Sequence, residues 1–180
     1  GNNAGNRNEN EEYDPVANTW QPRLLMPTAA TELGVAAVGD RVHYLGGYIG
    51  PFNQHKAYDP ATNTWAAKAD MLTGRFLFSA AALDGLIYTA GGASACCYVA
   101  SAAVERYDPV GNAWTALASL QGGADLQTRP AGAKGKLYVL GGNGTTRVFD
   151  PVAGAWSLGT TAPTSHGTPG VATVGGKVYL

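Results

Sequence analysis

The side chains of this chain best suited to chemistry are three histidines, two cysteines and a scatter of loop aromatics and arginines. His43, His55 and His166 could each act as a base or a metal ligand near neutral pH. They fall in different parts of the chain, and none forms a pair at metal-ligand spacing. Cys96 and Cys97 are adjacent, so they cannot staple distant segments. They read as two loop thiols, as a strained vicinal disulfide or as a redox or metal pair, and no nearby His or Cys completes a ligand set for the last. No strand-to-helix nucleophile elbow and no glycine-rich phosphate loop is present. The sequence thus supplies no catalytic set and implies no cofactor and no metal.

Regularity is the stronger feature. "YDPVANTW" at 13–20 returns as "YDPATNTW" at 58–65, "YDPVGNAW" at 107–114 and "FDPVAGAW" at 149–156. The four tryptophans, Trp20, Trp65, Trp114 and Trp156, are spaced by 45, 49 and 42 residues. Three glycine pairs, Gly46-Gly47, Gly91-Gly92 and Gly141-Gly142, each follow a Trp by 26 or 27 residues. A repeat of this period marks an architecture of stacked supersecondary units. With 25 Gly and 10 Pro spread along 180 residues, the composition is turn-rich and β-like.

Each unit reads as four short strands. A small apolar strand comes first, as in "LGVAAV" (33–38) or "LFSAAAL" (77–83). A two-residue turn of Gly, Asp or Lys type follows, suited to positive φ and a tight antiparallel return. The second strand ends in the glycine pair, where backbones must approach closely. After a loop of variable length, the third strand ends in Tyr58, Tyr107 or Phe149, and the eight-residue signature turns the chain into a fourth strand ending in Trp. In that signature Asp accepts backbone N–H bonds and Pro presets φ. The position two before Trp is Asn18, Asn63, Asn112 and then Gly154. Both residue types tolerate left-handed backbone, so this position is expected to encode geometry rather than side-chain chemistry. Two irregularities stand out. His43 replaces the Tyr of the other units (Tyr88, Tyr138, Tyr179), and "RPAGA" carries Pro130, which predicts an irregular strand.

A glycine pair, then aromatic-Asp-Pro, then Trp six residues after Asp resembles the Kelch repeat, and the resemblance covers essentially the whole chain. It implies an all-β fold, a β-propeller of four-stranded antiparallel blades around a channel. It implies a single domain over 1–180, or a part of a larger propeller. One blade is split, its first two strands coming from 169–180 and its last two from 1–25. Three arrangements satisfy the split: closure within one chain as a four-bladed ring, a homodimer giving an eight-bladed ring, or pairing with missing blades of a longer parent chain. Some Kelch-like propellers are sugar-active enzymes of the oxidase or mutarotase type. No catalytic residue of theirs carries over, because Cys97 beside Tyr98 is not the distant Cys–Tyr crosslink of the oxidases.

In such a disc the uniform turns lie on one face, and the variable loops with the interblade connections lie on the other. Binding is expected on the variable loops, which a rigid scaffold presents. Tyr48, Phe52, Asn53, Arg75, Tyr98, Arg129 and His166 are the candidate contact residues, because aromatic, amide and guanidinium groups together suit a peptide or carbohydrate. Equally, the aromatics could fold back on their own blades and the arginines could bridge between blades. "NGT" at 143–145 reads as a glycosylation acceptor or as a tight loop. The expected function is a non-catalytic scaffold for a protein or glycan ligand, with a sugar-active enzyme as the alternative. Net charge of -1 with 14% charged residues argues against nucleic acid, and no apolar run is long enough for membrane insertion. The compartment is left open, with an extracellular or bacterial cell-surface setting favoured by low charge and abundant Ala, Gly, Thr and Asn.

Overall fold

The computed structural model describes residues 7–48, 52–94, 98–126, 128–165, 167 and 170–180. Over these residues the chain is all-β and every strand pair is antiparallel. Three sheets have four strands. The first is β3 (Gly34–Val38), β4 (Arg41–Leu45), β5 (His55–Asp59) and β6 (Thr64–Ala67). The second is β7 (Ala80–Leu83), β8 (Leu86–Ala90), β11 (Val104–Asp108) and β12 (Ala113–Ala116), with a small ribbon of β9 (Ala93–Ser94) and β10 (Val99–Ala100) between its middle strands. The third is β13 (Arg129–Ala133), β14 (Lys136–Leu140), β15 (Thr146–Asp150) and β16 (Ala155–Leu158). Two-stranded sheets lie before and after them: β1 (Glu11–Asp14) with β2 (Thr19–Pro22), and β17 (Ala172–Val174) with β18 (Lys177–Tyr179).

The order of packing is that of propeller blades. β3, β7, β13 and β17 pack side by side in sequence along the inner edge. The fourth strands, β6, β12 and β16, form the largely exposed outer rim. The core lies between sheets. Leu45, Met71 and Phe78 meet Ile87, Tyr107 and Trp114 at the first junction, and Leu83, Tyr88 and Val104 meet Leu137, Val139 and Phe149 at the second. Among the described residues no strand of β1–β2 pairs with a strand of β17–β18.

Backbone geometry accounts for much of the repetition. Asn18, Asn63, Asn112 and Gly154 have φ of 53°, 52°, 48° and 65°, all left-handed. Asp Oδ1 accepts turn N–H groups in each signature, as from Val16 to Asp14, Ala61 to Asp59, Val110 to Asp108 and Val152 to Asp150. At Gly46 a Cβ would come within 2.3 Å of the Arg75 carbonyl oxygen, so the pair marks where the next interblade connection crosses the sheet end. The third pair differs, since neither Gly141 nor Gly142 has positive φ; there the Gly167 carbonyl lies 2.4 Å from where a Gly142 Cβ would be.

The structure corrects two expectations. β13 is regular over its whole length despite Pro130, pairing from Arg129↔Leu140 to Ala133↔Lys136. Pro is tolerated because β13 is an edge strand, bonded on one side only. The Asn of the signature also does more than permit φ > 0. Asn63 Oδ1 accepts from the Tyr58 hydroxyl at 2.7 Å and from the Leu24 backbone N–H at 2.9 Å. Asn112 repeats this with Tyr107 at 2.7 Å and Ala69 N–H at 3.0 Å. The indole N–H two residues on donates to the carbonyl of that same neighbour, Trp65 to Leu24 and Trp114 to Ala69. Asn and Trp therefore clamp both polar groups of one residue in the preceding unit, four positions after that unit's own Trp. In the fourth copy the Tyr hydroxyl and the Asn amide are absent together, as Phe149 and Gly154, and the Trp156 bond to Ala118 O remains at 2.8 Å.

Asn112→Gly keeps the backbone permissive and deletes the bridge. It is expected to lower stability by about 1–3 kcal/mol, because a buried tyrosine hydroxyl and a backbone N–H lose their partner. Urea unfolding of wild type and variant measures this.

Candidate functional site

The loops that follow β4 and β8 and the connections between blades share one face. The connections are stitched to the loops by short bridges. Tyr48 N–H donates to Thr31 O at 2.7 Å, and Phe76 and Ala93 exchange backbone bonds at 3.0 and 2.8 Å. The effect is to gather aromatic rings. Phe76, fully buried, lies 5.1 Å from Tyr48, 5.9 Å from Phe52 and 5.2 Å from Tyr98 between ring centroids. Tyr48 is also 6.5 Å from Phe52 and 6.3 Å from Tyr98. Tyr48 and Phe52 are half-buried, whereas Tyr98 is 52% exposed. Tyr98 has φ of 52°, an uncommon conformation for a bulky residue. The result is a two-blade aromatic cluster with its base closed by Phe76 and its rim open.

The cluster rests on a buried ion pair. Arg75 is fully buried; it donates to Glu105 Oε1 at 2.5 Å, to Ala103 O at 2.8 Å and to Gly91 O at 3.1 Å. Glu105 Oε2 accepts from Leu72 N–H at 3.0 Å. Burial pushes the guanidinium below its ordinary pKa and the Glu105 charge opposes that push. Every one of these contacts ties the connection between the first two four-stranded blades to the second of them.

Comparison with known proteins agrees with this architecture. A family model for the Kelch motif matches residues 74–121. Kelch-like protein 35 of Mus musculus is 32% identical over 159 residues, an alignment covering 84% of this chain and 27% of that one. The chain belongs to the Kelch-repeat family. Kelch-like protein 25 of Xenopus tropicalis is 29% identical over 115 residues, covering 56% of this chain and 19% of that one. The solved structure titled "Structure of YjhT" superposes with a TM-score of 0.71 at 15% identity, covering 85% of this chain and 58% of the other, a likeness of fold. The Kelch chain thus spans about a quarter or less of the curated relatives' length.

Of the residues singled out in this Kelch sequence, Tyr48, Phe52 and Tyr98 come together. Asn53 lies beside them but faces the connection, with its Nδ2 3.5 Å from Met71 O and its carbonyl accepting from Met71 N–H at 2.9 Å. Arg75 is withdrawn from the face altogether, because Glu105 and the carbonyls of Thr73, Gly91 and Ala103 take up its donors in the interior. Arg129 lies one blade further on, half-buried, donating to Thr128 O at 3.0 Å, with its pKa lowered by burial. His166, Cys96 and Cys97 lie outside the described residues. At "NGT" the tight-loop reading fits, since Asn143 Oδ1 accepts from Thr145 N–H at 3.0 Å and Gly144 has φ of 85°. Phe76 carries no signal in the sequence, being an apolar residue after an arginine in an interblade segment.

The other histidines form a second polar feature, inside the first junction. His43 Nδ1 and His55 Nε2 are 2.8 Å apart, and His55 Nδ1 is 3.1 Å from Ala69 O. A carbonyl only accepts, so His55 carries its proton on Nδ1, its Nε2 accepts, and His43 donates from Nδ1. Both rings are buried and pack on Tyr107. Burial, then the positive charge of Lys68, lowers the His43 pKa to about 4; burial, then His43 itself, lowers that of His55 to about 3. Among the described residues no group of three or more His, Cys, Asp or Glu is placed to hold a metal ion, and no helix is long and apolar enough to cross a membrane.

Folded pKa values below the unfolded value of about 6.5 mean that the unfolded chain binds the extra protons first. Stability is expected to be full above pH 6.5 and to fall as pH drops toward 4. Each histidine contributes a slope approaching about 1.4 kcal/mol per pH unit in that window. Urea unfolding at a series of pH values measures it, and His55→Phe should flatten the slope.

Proposed function

We propose that this Kelch chain is a non-catalytic binding scaffold whose ligand is a protein, held through the face of variable loops at the Tyr48, Phe52 and Tyr98 cluster. The observation that carries this reading is the cluster itself. Three aromatic side chains from two blades converge on a buried fourth ring, and the outermost is half exposed. Tyr and Phe offer large contact area at low entropic cost and are enriched where protein surfaces meet. The rings are tilted to one another by 32° to 82° rather than laid flat. That shape suits an inserted apolar side chain better than the flat face of a sugar. The strained backbone at Tyr98 is of the kind that clusters at ligand clamps. Nothing comparable supports the sugar-active alternative, since His43 and His55 lie in the interior, bonded to each other.

The same proposal includes completion of the two-stranded sheets. Tyr13 and Trp20 repeat the ring pair of the other blades, centroids 5.1 Å apart, yet are 44% and 64% exposed. We take β1–β2 and β17–β18 as half-blades that add strands from a further blade or from a second copy. Sedimentation of the 18.5 kDa chain distinguishes the two, since about twice that mass is expected for paired copies.

For binding, a peptide library displayed against the chain should enrich sequences with apolar anchors. Tyr98→Ala is expected to weaken the selected peptide by about 2 kcal/mol, roughly thirtyfold, as for a hot-spot aromatic. Tyr179→Ala, on the last strand, should leave it unchanged. Enrichment that survives Tyr48→Ala and Tyr98→Ala together would move the site elsewhere, and selective retention on a glycan array would replace the protein ligand with a carbohydrate.

A further inference from the structure

The junction of the first two complete blades also opens on the opposite face, where the tight turns lie. A cleft of about 330 Å³ is formed there by the turn 38–41, His43, Lys68 and Pro109. His43 is 2% exposed, and its ring is held by the chain His43–His55–Ala69 O. With Nδ1 committed as donor, Nε2 keeps a lone pair that has no protein partner among the described residues. It is not one of the polar atoms sealed from solvent, so that lone pair meets the cleft. Charge is arranged around it. Lys68 and Arg41 both act on the ring as cations. Arg41 is paired with Asp59 at 2.5 Å, whereas Lys68 makes no salt bridge among the described residues. Asp40 lines the cleft as well, and its carboxylate repels an anion, so the oxygens that carry a ligand's charge must face the cations.

We propose that this cleft binds a small oxyanion that retains a hydroxyl hydrogen, with its negative oxygens toward Lys68 and Arg41 and its O–H donated to His43 Nε2. The donor pattern selects this class. An acceptor on the cleft wall with no protein partner favours a ligand that supplies a hydrogen, and a cation free of a carboxylate favours negative charge. Burial and the two cations keep His43 neutral at pH 7, so the ring accepts there. A fully deprotonated oxyanion of the same size would place a lone pair against a lone pair. Hydrogen phosphate is the simplest member of the class, and sulfate is its near-isosteric partner without the proton. The site is independent of the loop face, which lies on the other side of the disc.

Inorganic phosphate is the probe. At pH 7 it should bind saturably by calorimetry and shift the His43 ring resonances ahead of other signals. Sulfate should bind at least about tenfold more weakly, because a site built around a hydroxyl rejects the analogue that lacks it. Lys68→Ala and His43→Tyr should each weaken phosphate by about tenfold or more. Tyr is the residue of the other units at this position, and circular dichroism reports whether that variant folds; if it does not, Lys68→Ala and the sulfate comparison decide. Absence of saturation, sulfate binding as tightly as phosphate, or unchanged affinity in Lys68→Ala would overturn the site.

Discussion

The grip of each tryptophan on the backbone of the preceding unit holds the rest of this structure in place. Trp65, Trp114 and Trp156 each donate an indole N–H to a carbonyl four residues past the previous Trp, at 2.8 to 2.9 Å. A blade alone has an apolar side on each face and cannot bury either by itself. The indole bonds a backbone acceptor of the neighbouring unit, and the same ring packs on the Tyr or Phe across the hairpin at 5.0 to 5.2 Å. Where Asn accompanies Trp, the neighbour's N–H is held as well. Register between blades is thereby set by hydrogen bonds, and apolar packing fills what the bonds have aligned.

The two features with functional weight hang from that constraint. Ala69 O receives both Trp114 and His55, so the clamp that joins the first two complete blades also fixes the tautomer of the histidine pair. On the other face, the connection that leaves the clamp runs through Arg75 and Phe76. Arg75 is neutralised by Glu105 inside the junction, and removing one member of such a pair is costlier than never having had it. Phe76 then presents the base on which rings from two separate loops converge. The scaffold is stiff where it must hold its blades, and the aromatic rim is carried by loops that vary between units.

Much of this was legible in the sequence because the repeat is short and local. The aromatic-Asp-Pro turn, the tight returns and the glycine pairs depend on residues within a few positions of one another. Tyr48, Phe52 and Tyr98 could be picked out as loop aromatics, but that they share one base could not be foreseen. Arg75 could be read either as a surface contact or as a bridge between blades, and only the structure decides for the bridge. Its partner Glu105 is thirty residues on, and only the stacking of one blade on the next brings the two within bonding distance. The Asn of the signature shows the limit well. Its exchange for Gly154 suggested a purely conformational role, whereas the loss of the Tyr hydroxyl in the same copy is explained only by seeing the two side chains bonded.

By itself, the sequence determined the repeating unit: which residues turn, which lie in strands, and that each unit carries one large wedge for its neighbour. These follow from φ preferences and from alternation over four to eight residues, which act before any long-range contact forms. Tertiary structure alone decided what the units do to one another: that Arg75 is buried, that His43 and His55 form one hydrogen-bonded pair, and that four aromatic rings become one cluster. Such outcomes depend on which groups lose water together, and that is a property of the packed junction between blades rather than of any segment within one.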